Sequence, residues 1–262
     1  MKKLLVLPDD CASLQQYLDV FKYTCSVLQV CIIVHDYSHH LQDKCKFFNN
    51  RNWSNLWNAV SLERAVFEMC EDAFMDGVNY LEIRFGPILH TKNGMSLSQV
   101  MDAVVSGVDY SEKMLPGFKS RIIVCGLRDM PQDVVYEMAV IATKYSNSRV
   151  VVAFDLAAQE MDYPASMHKK AFDLISENYL KATCHSGEAA GADYIQDAVM
   201  NCNVQRVGHG TRLYENERLL EYIRDRKIAL EICVTSNYQT KAIPKFESHP
   251  LPMYFKRGVA GK

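Results

Sequence analysis

Residues 181–210, KATCHSGEAAGADYIQDAVMNCNVQRVGHG, contain the pattern that decides the fold. Two short runs within them, KATCH (181–185) and QRVGH (205–209), are candidate strands, and each ends in a histidine. Similar short runs, rich in apolar and β-branched residues, recur along the chain: YLEIRF (80–85), RIIVCGL (121–127), RVVVAFDLA (149–157) and IALEICV (228–234).

Longer amphipathic segments separate these candidate strands from about Leu62 onward. LSQVMDAVVSGVDYSEKM (97–114) and PQDVVYEMAVIATKY (131–145) place apolar residues three and four positions apart, which is the helical period. Regular alternation of strands and helices predicts a parallel sheet covered by helices, either a doubly wound open sheet or a closed barrel. The predicted fold class is therefore α/β.

The polar residues decide between an open sheet and a barrel. In a barrel every strand contributes to the functional rim, whereas the ligands of open sheets gather at a switch point. Here polar side chains occur at or just beyond the ends of several strands: Glu82, Arg84, Asp155, His185, Glu188 and His209. This spread favours a (β/α)₈ barrel, and the 262 residues match the ~250 that are typical of one.

One segment breaks the alternation. Residues 30–59 hold both tryptophans and many asparagines, and they lack a sustained strand or helix period. We expect residues 1–262 to form a single barrel domain in which residues 30–59 are an atypical insertion or a disordered segment.

Composition limits the partners and the location. A net charge of -2 gives no basic field for a polyphosphate backbone, so no nucleic-acid partner is expected. The nine cysteines form no CxxC pair, which is typical of reduced thiols in a cytoplasmic protein. No run of ~18 apolar residues is present, so no membrane partner is expected either.

Three residues suggest hydrolytic metal chemistry. His185 and Glu188 in CHSGE, with His209 in VGHGT, would meet at one rim of a parallel barrel. Zinc prefers imidazole nitrogen and lowers the pKa of its bound water to near 7, and a neighbouring carboxylate can then relay a proton. A single His followed by Glu is more often structural, but the glycines on both sides of His209 indicate a close backbone approach.

The sequence resembles a known family. Six blocks of the sequence look like successive parts of the adenosine deaminase family. Together they cover most of Leu62 to Val259, and a weaker match extends over Leu7 to Gln29. They are YLEIRFGPILHT (80–91), FDLAAQE (154–160), CHSGEAAGADYIQDAV (184–199), QRVGHGTRLYENERLL (205–220), LEICVTSNYQT (230–240) and HPLPMYFKRGV (249–259).

The resemblance implies a zinc-dependent hydrolase that converts adenosine, a small purine nucleoside, to inosine and ammonia. By position, His185 resembles a zinc ligand, and Glu188 resembles the acid that protonates a purine ring nitrogen. His209 resembles the imidazole that orients zinc hydroxide. The implied substrate contacts are the backbone at Ala158 and a lid helix carrying Tyr17, Leu18 and Phe21.

Three features depart from the family pattern. The two zinc-binding histidines of the first strand, spaced as HxH, have no counterpart, and neither does the Asp pair of the last strand. Ala158 stands where the family usually has glycine. We therefore expect an incomplete (β/α)₈ barrel without its first and last strands, and a chain that is inactive as given, because a catalytic zinc usually needs three protein ligands.

Other functions stay open. A degenerate deaminase-like domain could bind nucleosides or a partner without catalysis, and a related enzyme could act on adenine or methylated adenylate. His35, Asp36 and His39 spell HDxxH, which is similar to metal-binding HD-type phosphohydrolases. Those enzymes are helical bundles, however, and the rest of this chain indicates βα repeats.

Overall fold

The computed structural model describes residues 32–33, 58–91 and 94–261. Strands and helices alternate along them, as the sequence predicts. The strands are β1 (Ile32–Ile33), β2 (Tyr80–Phe85), β3 (Lys119–Leu127), β4 (Val151–Ala157), β5 (Lys181–Ser186), β6 (Arg206–His209) and β7 (Ala229–Glu231). The α-helices are α1 (Ala59–Met75), α2 (Leu97–Met114), α3 (Gln132–Ser146), α4 (Lys169–Glu177), α5 (Ala192–Asn201), α6 (Glu217–Asp225), α7 (Val234–Gln239) and α8 (Leu251–Lys256).

The strands lie in the sheet in the order of the chain. β1 pairs antiparallel with β2, whereas β2 with β3, β5 with β6, and β6 with β7 are parallel pairs. Within the described residues, β2 to β7 are two strands fewer than the eight of a complete barrel. The predicted class, an α/β fold with an incomplete (β/α)₈ barrel, is therefore confirmed.

The last predicted strand is shorter than its apolar run. IALEICV was predicted to span 228–234, but β7 ends at Glu231 and α7 begins at Val234. Leu230 of β7 also pairs in parallel with Gly261, and its amide donates to the carbonyl of Ala260 at 2.9 Å. The chain thus returns to the sheet directly beside β7.

The described chain forms two compact units. One of them contains residues 32–33, 58–91, 94–125 and 141–153. In this unit α2 begins with a capping box, in which Ser96 and Gln99 bond reciprocally. Gly107 of α2 allows a close approach to α1, because a Cβ there would come within 2.7 Å of Val66 and of the Glu63 carbonyl oxygen.

The other unit contains residues 126–140 and 154–261. Its core includes Phe154 and Phe172, whose rings meet edge to face with centroids 5.4 Å apart. Ile195 of α5 and Leu220 of α6 are also fully buried. This packing fixes β4, β5 and β6, whose C-terminal ends carry the candidate site residues.

Several predictions lie outside the described residues. They concern the lid residues Tyr17, Leu18 and Phe21, the HDxxH residues, and most of residues 30–59. Within that last segment, only β1 and residues 58–59 are described, so the single-domain prediction with an insertion stays a prediction. None of the described helices is long and apolar enough to cross a membrane.

Candidate active site

His185 lies near the end of β5 and faces a buried carboxylate. Its Nδ1 is 3.1 Å from one oxygen of Asp155 and 3.3 Å from the other. Asp155 is on β4 and is fully buried. A metal-binding histidine commonly gives its second ring nitrogen to a carboxylate in this way, which fixes the orientation of the ring.

His209, the last residue of β6, lies beside His185. The two ring centroids are 5.2 Å apart and the ring planes are inclined by 60°. His209 has a φ of 64°, in the left-handed region that non-glycine residues rarely adopt. The backbone thus turns at the strand end, where the two imidazoles meet.

Glu188 follows β5 and completes the cluster. Its Oε2 is 3.4 Å from Nε2 of His209. Its Oε1 accepts hydrogen bonds from the Thr240 hydroxyl at 2.9 Å and from the Asn237 amide nitrogen at 3.2 Å. Burial raises the pKa of the Glu188 carboxyl, and the two hydrogen bonds offset this only in part.

A second carboxylate holds the loop that carries Glu188. The buried Glu160 accepts hydrogen bonds from four consecutive backbone amides, those of residues 187–190, with distances of 2.7 Å to Ala189 and 3.0 Å to Ala190. Consecutive amides that converge on one anion form a nest. The backbone position of Glu188 is therefore set by Glu160.

Asn237 connects the cluster to α7. Its amide nitrogen is 3.0 Å from Nδ1 of His209, in addition to its bond to Glu188. Its Oδ1 is 3.2 Å from Nε2 of His249, and Nδ1 of His249 accepts the Leu251 backbone amide at 3.0 Å. Asn237 is fully buried, and both polar atoms of its amide group have protein partners.

The structure thus brings together His185, Glu188 and His209, as the strand-end positions predicted. Ala158 comes directly after β4 with a φ of 77°, a conformation that glycine favours. This conformation gives a physical reason to expect glycine at that position, as the resemblance implied.

The sequence alone predicted no role for four residues around the cluster: Glu160, Asn237, Thr240 and His249. They are partners of the strand-end residues, and their signals were present in blocks quoted above without a role: FDLAAQE contains Glu160, TSNYQT contains Asn237 and Thr240, and HPLP begins with His249.

The polar side chains of the cluster fit a zinc site in part. His185, with Asp155 behind it, fits the role of one ligand. Among the described residues, however, no group of three or more His, Cys, Asp or Glu side chains is placed to hold a metal ion. A catalytic zinc usually takes three protein ligands and a water molecule. The described residues therefore supply part of a zinc site and do not complete one.

A sequence model of the family described as adenosine deaminase matches residues 55–261. A curated relative, "Probable adenosine deaminase" of Dictyostelium discoideum, is 39% identical over 259 residues. The match covers 99% of this chain and 30% of that protein. The chain thus spans less than a third of this relative's length.

Two solved structures are similar in fold. Adenine deaminase from Arthrobacter aurescens superposes with a TM-score of 0.78 at 23% identity, covering 99% of this chain and 69% of that one. An amidohydrolase from Burkholderia ambifaria with bound zinc gives a TM-score of 0.71 at 22% identity, covering 79% and 57%. At these identities the likeness concerns the fold alone.

Proposed function

Because the chain belongs to the adenosine deaminase family, we propose that it carries the acid and imidazole groups of a metal-dependent hydrolase that removes an amino group from a purine. The observation that supports this most is the joint placement of His185, Glu188 and His209. These residues come from two strands and a loop, and they meet within one small volume.

Glu188 is proposed as the proton donor to a purine ring nitrogen. A raised pKa keeps a carboxyl group protonated at a pH where an exposed glutamate has lost its proton. Its Oε1 accepts two hydrogen bonds, which occupy both lone pairs of that oxygen. We therefore propose that the transferable proton is on Oε2, the oxygen 3.4 Å from Nε2 of His209.

His185 is proposed as one zinc ligand. When bound, zinc would supply a hydroxide at neutral pH for attack on the amidine carbon. Asp155 would hold the His185 ring in place, and His209 would orient the nucleophilic oxygen beside it.

The proposed substrate is adenosine, with inosine and ammonia as products. The support comes from the family and from the Dictyostelium relative's name. Adenine is the competing substrate, because the Arthrobacter protein of similar fold is an adenine deaminase.

A cytoplasmic location stays a prediction from the cysteine content; Cys70, Cys184 and Cys202 are buried thiols.

The proposal is tested by incubating the purified chain, with and without added zinc, with adenosine or adenine and measuring product by chromatography. Glu188→Gln should lower any deamination rate by ~10²–10⁴-fold, the usual contribution of a general acid. Glu177→Gln is the matched control, because Glu177 is exposed on α4. An active chain in which Glu188→Gln has no effect contradicts the assigned role.

Zinc content separates the remaining possibilities. The chain as given is expected to hold zinc weakly and to be inactive, because the described residues include one of the usual three ligands. Stoichiometric zinc with rapid inosine formation would contradict this expectation. Tight nucleoside binding without turnover, even with saturating zinc, would favour the non-catalytic alternative.

A further inference from the structure

A chain of hydrogen bonds leads from a backbone amide of α8 to His209. Its members are the Leu251 amide, the two ring nitrogens of His249, the Asn237 carboxamide and Nδ1 of His209. Each member except the first could in principle donate or accept. The direction of the whole chain follows from its one unambiguous end.

The backbone amide of Leu251 can only donate, so Nδ1 of His249 must accept. Burial lowers the pKa of His249, which keeps the ring neutral. A neutral imidazole has one N–H, so Nε2 of His249 carries it. The Asn237 atom opposite Nε2 must therefore be the oxygen.

The orientation of the Asn237 carboxamide is then fixed. With Oδ1 facing His249, the amide nitrogen faces Glu188 and His209. One of its two hydrogens reaches Oε1 of Glu188 and the other reaches Nδ1 of His209. Both of these atoms can only accept in that geometry.

We propose that Asn237 and His249 are positioning residues that fix His209 as the tautomer with its proton on Nε2. His209 then presents a hydrogen-bond donor toward the site, on the side where Oε2 of Glu188 lies 3.4 Å away. The tautomer assignment depends on the hydrogen bonds and on the neutral ring of His249. Its use in catalysis rests on the proposed function, where His209 would orient the nucleophilic oxygen by donating to a lone pair rather than by removing a proton.

The test is nuclear magnetic resonance of protein labelled with ¹⁵N in the histidine rings, at about pH 8, above the ordinary histidine pKa of about 6.5. Long-range proton–nitrogen correlations distinguish a pyrrole-like nitrogen, which carries hydrogen, from a pyridine-like one. His209→Gln and His249→Gln assign the signals by their loss. Both rings are expected to show a pyridine-like Nδ1 and a pyrrole-like Nε2.

Asn237→Asp keeps the shape of the side chain and replaces the amide donor that faces Nδ1 of His209 with an acceptor oxygen. A carboxylate can only accept, so the proton of His209 is expected to move to Nδ1 and its two nitrogen signals to exchange character. His249, still donating from Nε2, should keep its pattern. Thr240→Val is the matched control, because it removes the other donor to Oε1 of Glu188 and leaves the Asn237 bond to His209 in place.

Two results would overturn the proposal. One is a wild-type His209 with its hydrogen on Nδ1, which decides the question even if Asn237→Asp does not fold. The other is a folded Asn237→Asp protein in which His209 still carries its hydrogen on Nε2. Because the measurement needs no turnover, it is independent of the proposed function. An active chain in which Glu188→Gln has no effect would contradict that function and leave the tautomer result standing.

Discussion

Gly208 lies against the ring of His185. The two residues are register partners on the parallel strands β6 and β5. A Cβ built on Gly208 would come 3.1 Å from Cα, 3.2 Å from Cγ and 3.3 Å from Nδ1 of His185. Because Gly208, the glycine before His209 in the GHG motif, has no side chain, the imidazole of His185 can pack directly against its backbone.

Gly208→Ala is expected to displace the His185 ring, because the new methyl group is closer than ordinary van der Waals contact allows. Overpacking of this kind costs about 1–3 kcal/mol of unfolding free energy. Urea denaturation measures the loss, and the His185 ring resonances should shift. Gly261→Ala is the control, since its Cβ would meet its nearest neighbour at 3.7 Å. Equal stability of the two variants would contradict the close approach.

Glu160→Gln should loosen the loop that carries Glu188. A carboxamide cannot accept at both of its polar atoms, so amides that now bond to one carboxylate oxygen would face an NH₂ group. Hydrogen bonds to charged groups contribute about 1.5–3 kcal/mol each, and we expect a total loss of roughly 2–3 kcal/mol.

Hydrogen exchange locates the effect of Glu160→Gln. Amides of residues 187–190 should exchange faster in the variant, while those of helix α4 stay protected. Glu177→Gln, which changes an exposed carboxylate, serves as the control. Unchanged exchange at residues 187–190 would show that Glu160 does not hold this loop.

Ala158→Gly should stabilise the protein. Ala158 has a φ of 77°, and this region costs a residue with a Cβ about 1–2 kcal/mol. The greater freedom of glycine in the unfolded chain returns about 0.4–1 kcal/mol of that, so a net gain of roughly 0.5–1 kcal/mol is expected. Ala157→Gly, in strand β4, should instead destabilise. A loss of stability on Ala158→Gly would contradict the strain at this position.

Histidine 90 should make stability depend on pH. Burial lowers the pKa of His90 from 6.5 to about 4. Between about pH 4 and pH 6.5, the unfolded chain binds a proton at His90 that the folded protein does not bind. The free energy of unfolding therefore falls as the pH drops through this range, and the contribution of neutral His90 is fully present above about pH 6.5. The difference corresponds to on the order of 3 kcal/mol.

His90→Leu tests this dependence by removing the titrating group. The free energy of unfolding is measured for wild type and variant at several pH values from about 4 to about 7.5, a range that includes the ordinary histidine pKa. As the pH falls, the free energy of unfolding should decline less steeply for the variant than for wild type. His90 packs edge to face on Phe85, so some loss at neutral pH is also expected. Parallel curves for the two proteins would exclude His90 as the cause.

The sequence alone determined the alternation of strands and helices and the strand-end positions of the polar residues. Strand and helix periods are local properties of the chain, and the C-terminal ends of parallel strands must share one edge. For this reason His185 and His209 could be predicted to lie together, and the blocks around them were sufficient to suggest the family.

Only the tertiary structure decided what holds these residues. Glu160 reaches the loop after β5, and Asn237 reaches both Glu188 and His209, through contacts between residues 27 or more positions apart. Neither the turn of the backbone at Ala158 nor the direction of the hydrogen bonds through His249 has a local sequence signature. A hydrogen bond depends on the distance and angle between two atoms, and the chain must fold before those are set.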